Sequence, residues 1–149
     1  MSTYTHGNPG VVAGNPGALQ RRRSRIKTID TGYAKVGRLV MRDTDDNHCK
    51  VAGAGEATCW GFIMPPGDNS DLTADFTTET EIVYGHGPVL TTMYLTTGQT
   101  AVKGVDLYPA AHGALKTTAT AAERPVAKAE ESVTTSTLAE DHILVRYQQ

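Results

Sequence analysis

The stretch from Gly98 to Thr117, GQTAVKGVDLYPAAHGALKT, constrains the fold more than any other part of the chain. It reads as turn, short strand, turn, short strand. Gly98 and Gly104 punctuate it, Val105 to Tyr108 forms an apolar-leaning run, Pro109 stops that run and Gly113 opens the next, Ala114 to Lys116. Glycine supplies the positive φ that tight turns need, and proline cannot donate a hydrogen bond inside a central strand. Strand fragments this short and this closely spaced belong to a small barrel or sandwich, not to a helical or βαβ domain.

The remaining runs agree. Ile29, Tyr33, Val36, Leu39 and Val40 predict one or two strands around a turn at Asp30–Gly32. Ala57 to Met64, ATCWGFIM, reads as the strongest buried strand and is ended by Pro65 and Pro66. Glu81–Tyr84 and Val89–Leu95 flank the turn Gly85–Pro88, Pro125–Ala129 is a further strand, and Ile143–Tyr147 is a closing one. Threonines crowd residues 77–97, as suits the solvent face of strands. A helical turn is expected over Thr117–Glu123, and apart from the tetrapeptide GNPG, at Gly7–Gly10 and Gly14–Gly17, no long-period repeat is visible. The expected fold class is all-β: a small β-barrel or β-tulip-like domain over residues 28–149, preceded by an extended N-terminal arm over residues 1–27.

The arm is expected from composition and charge. Residues 1–19 hold few large apolar side chains and repeat the turn chemistry of Asn-Pro-Gly. From Met1 to Arg42 there are eight basic residues and one acidic, whereas the rest of the chain carries a net charge of −9. Such asymmetry is a partner signal, not a fold signal. Its centre is QRRRSRIK, Gln20–Lys27, so Arg21, Arg22, Arg23, Arg25 and Lys27 are the candidate binding residues. Three readings compete: arginines forking onto an acidic protein surface, a nucleic-acid arm, and a solvated tail. No aromatic residue is interleaved between Gln20 and Lys27 for base stacking. That favours a protein surface and disfavours nucleic acid.

The sequence carries no recognisable catalytic motif. The histidines at 6, 48, 86, 112 and 142 fall in turns or polar loops, and no nucleophile elbow, phosphate loop, zinc-protease or dinucleotide motif occurs. Asp43, Asp45 and Asn47 have calcium-loop spacing, but His48 stands where that loop needs glycine and Ala54 where it needs glutamate. A polar hairpin tip is the expectation there. His48, Cys49 and Cys59 lack the further ligand a closed zinc site requires. No metal, no cofactor and no enzymatic activity are therefore expected, and a bridge between the two cysteines stays open. No apolar run approaches the ~20 residues of a membrane helix, and no signal-peptide core begins the chain, so synthesis in a reducing cytoplasm is expected.

Taken together, GRLV (Gly37–Val40), CWGFIM (Cys59–Met64), GVDLYPAAHGALKT (Gly104–Thr117), RPVAKAEES (Arg124–Ser132) and ILVRY (Ile143–Tyr147) resemble the tailed-phage capsid decoration, or head cement, proteins. The resemblance covers residues 28–149. It implies a structural virion protein, made in the host cytoplasm. Such a protein binds the major capsid protein on the outer surface of an icosahedral head, as a homotrimer, and braces the shell. The bulky Trp60–Gly61–Phe62 and the basic arm depart from the family pattern, and the arm is expected to reach neighbouring capsid subunits. Two rivals stand beside this reading: a virion-displayed carbohydrate- or receptor-binding β module, and a nucleic-acid-binding barrel using the basic segment.

Overall fold

The computed structural model of the chain describes residues 9–13, 18–54, 58–65, 75–119 and 123–149. Within these, thirteen strands and one short 3-10 turn make it all-β. In chain order they are β1 (Val12–Ala13), β2 (Gln20–Thr28), β3 (Leu39–Arg42), β4 (His48–Val51), β5 (Gly61–Ile63), β6 (Glu81–His86), β7 (Val89–Leu95), β8 (Thr100–Ala101), β9 (Asp106–Pro109), β10 (Leu115–Lys116), β11 (Ala127–Ala129), β12 (Val133–Thr134) and β13 (Asp141–Tyr147). The 3-10 turn is Ala111–Gly113, between β9 and β10.

These strands close two barrels of five. The first runs β2-β4-β3-β5-β6 and returns to β2; the second runs β7-β10-β9-β11-β13 and closes through β13 onto β7. Closure leaves no strand of either ring with an edge unpaired along its whole length, as the end strands of an open sheet would be. Each barrel has a single parallel pair, first strand against third: β2 with β4, and β7 with β10. Every other pair within the two rings is antiparallel.

The correspondence extends to register. With Gln20 laid on Val89, Leu39 on Asp106, Cys49 on Leu115, Gly61 on Ala127 and His86 on Tyr147, every ladder of the first barrel falls on its counterpart. Thus Ile26↔Cys49 becomes Leu95↔Leu115, Met41↔Lys50 becomes Tyr108↔Lys116, Val40↔Gly61 becomes Leu107↔Ala127, and Phe62↔Gly85 becomes Lys128↔Arg146. Even the turn entering the second strand of each barrel matches, since Gly37 and Gly104 occupy equivalent places with φ of 89° and 95°. The chain is a tandem structural repeat, where the sequence predicts one barrel and no long-period repeat.

Three further expectations are corrected. The predicted arm over residues 1–27 does not stand apart from the body, because Gln20–Thr28 is a nine-residue barrel strand between β4 and β6, and Val12–Ala13 pairs with β7. Residues 1–8 and 14–17 of that segment, with half of the first GNPG copy and all of the second, lie outside the described residues. Thr117–Ala119 is not helical, and residues 120–122 lie outside the described part. Finally, β6 and β7 flank their turn as predicted but do not pair, because that turn is the junction between the barrels. The hairpin tip at Asp43–His48 and the turn at Asp30 are as expected, with Asp43 N–H donating to the His48 carbonyl at 3.0 Å and Tyr33 N–H to the Asp30 carbonyl at 2.9 Å.

Two apolar clusters fill the molecule. One lies within the first barrel: Ile26, Val36, Val40, Cys49, Val51, Ile63 and Ile82. The other is shared, joining Leu39, Cys59, Phe62 and Met64 of the first half to Met93, Leu95, Leu107, Leu115, Ile143 and Tyr147 of the second. Burying such side chains contributes roughly 1.5–3 kcal/mol each before entropy is counted. Between the barrels, the Arg38 guanidinium is clamped in two-pronged fashion by Glu140, both contacts 2.7 Å. It also donates to the His112 carbonyl at 3.2 Å and lies 3.8 Å over the Tyr94 ring. Tyr33 stacks on the His112 imidazole at 3.9 Å, and that ring is 2.7 Å from Asp30.

Candidate functional site

β2 is a strand because its parity separates two faces, although little in its composition is apolar. Ser24 and Ile26 point into the barrel and are buried, whereas Arg21, Arg23, Arg25 and Lys27 share the opposite parity and are exposed. At two-residue spacing Arg21, Arg23 and Arg25 form a row of cations about 7 Å apart, and Lys27 follows where the register of β2 against β4 shifts. Arg22 has the inward parity but sits beyond the packed part of the barrel, exposed, opposite Tyr84. Burial raises the Tyr84 phenol above its ordinary range, and the Arg22 charge acts against that shift.

The row is sparsely neutralised. Arg23 reaches Glu81 at 3.4 Å with both side chains more than half exposed, and Lys27 donates to the Thr44 hydroxyl at 3.3 Å. Among the described residues no ion pair engages Arg21, Arg22 or Arg25. The sequence-derived candidates are thus brought together on one rigid strand. What the sequence did not show is the company they keep. Arg23, Ser24 and Arg25 line an open groove of about 450 Å³ together with His48, Glu79 and Glu81.

His48 is tied down within that groove. Its Nδ1 is 2.9 Å from the Asp45 carboxylate and its Nε2 3.2 Å from Glu79. The Asp45 hydrogen bond, and then that of Glu79, raises the His48 pKa above its ordinary value. The same hydrogen bond holds Asp45 below the usual carboxylate range. Asp45 also accepts from the Asn47 N–H at 2.8 Å, and Asp43 from the Thr28 N–H at 3.0 Å. Asp43 thus ties the hairpin tip to the end of β2, while Asp45 is spent on the tip's own turn. Cys49 and Cys59 are both buried and not joined in a disulfide, and burial pushes the Cys49 thiol up, away from reactive thiolate.

Chemically, the arrangement is a mixed-charge surface with a cationic stripe, suited to recognition of carboxylates by exposed guanidinium groups. The Arg38–Glu140 clamp, which no spacing in the sequence signals, is enclosed at the barrel junction and presents nothing to a ligand. No family model matches the chain, and no curated protein matches it either.

Proposed function

We propose that this chain is a structural virion protein that binds the outer surface of an icosahedral phage head and cements it, engaging the major capsid protein as a homotrimer. The observation that carries this reading is that Arg21, Arg23, Arg25 and Lys27 are all exposed on β2, a strand of a closed barrel. A rigid display of guanidinium groups loses little entropy on meeting a fixed acidic lattice. Repetition of a modest contact over three subunits and many lattice points then multiplies the affinity. The resemblance over residues 28–149 supplies the kind of lattice. The arginines act from the body of the protein and not from a trailing arm, so attachment does not depend on a disorder-to-order step in residues 20–27.

The test is co-sedimentation of the purified chain with undecorated, expanded heads assembled from its companion capsid protein. Saturable binding at three copies per three-fold lattice point is expected. Absence of binding to heads with open sites would overturn the reading, as would binding only to a single-stranded oligonucleotide with steep loss in added salt.

A further inference from the structure

The internal repeat exposes a difference between the barrels that neither reveals alone. In the second barrel, β13 covers one edge of β7 along its length, while β10 meets the other edge only at Leu95. The uncovered part of that edge is filled by β1 and the residues before it. Val12 pairs with Thr91, Ala13 with Leu90, and the Gly10 N–H donates to the Thr92 carbonyl at 2.8 Å. The Thr91 hydroxyl adds a bond to the Val11 carbonyl at 3.0 Å.

The register equivalence places Arg21, Arg22 and Arg23 where Leu90, Thr91 and Thr92 stand. β6 covers one edge of β2 along Gln20–Arg25, while β4 meets the other only from Arg25 to Thr28. Among the described residues no strand lies along that second edge at Arg21–Arg23. The backbone groups there are aimed outward. Ile26 exchanges bonds with Thr80 and Glu79 on the β6 side, and Arg25 donates to Asn47 on the other. By strand alternation, the N–H and C=O of Arg21 and Arg23 point to the open side.

We propose that this edge, Arg21–Arg23, is a docking site for an extended acidic strand of another protein, which completes the first barrel as β1 completes the second. The proposal rests on the cement reading only for the source of that strand, the capsid subunit. Main-chain pairing supplies affinity, and the side chains supply selection. Carboxylates at alternate positions of the incoming strand meet Arg21 and Arg23. A second copy of this chain fits poorly, since edge-to-edge pairing would set arginines against arginines. Nucleic acid fits poorly too, because Glu79 and Glu81 adjoin the row.

Hydrogen exchange of the Arg21 and Arg23 amides, in the full chain free and bound to heads, tests the site directly. Fast exchange when free and at least tenfold slowing on heads is expected. Protection already present in the free chain would overturn the proposal, because a segment of this chain or a second copy would then hold the edge. Fast exchange on heads that have demonstrably bound the chain would overturn it while leaving the cement reading intact.

Two variants probe the backbone donor and the charge row. Arg23→Pro removes the open-side donor together with the Arg23 guanidinium and keeps the β6-facing groups, whereas R21E/R23E reverses the row with every backbone donor kept. Each is expected to weaken head binding at least tenfold without lowering the melting temperature by more than a few degrees. Undiminished binding by both would overturn the site. If heads do not bind the wild-type chain at all, the cement reading fails, and titration with a capped ten-residue peptide alternating Glu and Val decides the edge alone. Saturable binding lost in Arg23→Pro, and absent with the Lys–Val peptide, supports the site. Absence of binding, or preference for a single-stranded oligonucleotide, overturns it.

Discussion

At the scale of single residues, Arg38 and His48 carry charge in opposite ways. The Arg38 side chain is 2% exposed and Glu140 only 19%, so the pair is largely removed from water and depends on its geometry. Removing one member strands the other. Glu140→Ala is expected to lower the unfolding free energy by about 3 kcal/mol, read from urea denaturation. Replacing both, Arg38→Met with Glu140→Leu, is expected to recover most of the loss. His48 lies at the surface, and its raised pKa makes the sign of its pH dependence definite. Its contribution is fully present below the unfolded value near 6.5, and is lost as pH rises through the higher folded value. The imidazole proton shifts should titrate with a midpoint above 6.5. Asp45→Asn, which replaces the anionic hydrogen-bond acceptor with a neutral amide, is expected to bring that midpoint back down. The melting-temperature difference between wild type and His48→Gln should be larger at pH 6 than at pH 9. A difference independent of pH would refute the assigned role.

At the scale of elements, β13 decides whether the second barrel exists. It pairs with β7 over seven residues and with β11 over three, and it is the strand that closes the ring. Deleting residues 141–149 opens two edges at once and withdraws Ile143, Val145 and Tyr147 from the shared core. Loss of the cooperative transition and aggregation on expression are the expected results. A soluble truncated chain that still melts sharply would show the barrel to be closed by other means. This element was legible in the sequence because ILVRY pairs a run of large apolar side chains with clear flanking breaks. So were the turn-punctuated strands around Gly104 and Pro109 and the polar tip before His48. β2 was not legible: its strand parity is written in arginine, with only Ser24 and Ile26 marking the inner face, and composition argued for an arm. The repeat was hidden for a related reason. Register is preserved between the barrels, but equivalent positions differ in kind, Phe62 against Lys128 and Gly85 against Arg146. Each place is filled according to whether it faces the other barrel or water. The traces left at the level of sequence are few and scattered: Gly37 and Gly104, each two residues before its strand, Lys50 and Lys116, and Ile82 and Ile143.

At the scale of the whole molecule, two closed barrels raise the question of whether they unfold as two units. A barrel with its own core and its own ring of hydrogen bonds could do so, and tandem repeats often behave as coupled but separable units. Here the apolar clusters are not divided between the repeats. The first barrel holds one cluster inside, but Leu39, Phe62 and Met64 pack with Met93, Leu107 and Tyr147 in the other, and Phe62 meets the Tyr147 ring edge-on at 5.2 Å. Arg38 and Glu140 lock the same junction from two loops. Separating the barrels would therefore expose a core face on each and strand a buried charge, a cost comparable with the entire stability of a small domain. A single cooperative transition is expected. In urea, the fluorescence of Trp60, which belongs to the first barrel's cluster, should trace the same midpoint and slope as far-ultraviolet circular dichroism, which reports both barrels. Glu140→Ala should move the two curves together, since it weakens the junction and not either ring. If the fluorescence transition instead precedes the dichroism and the mutation widens the gap, the repeats are separate folding units. The shared cluster would then be an interface between two domains rather than one core.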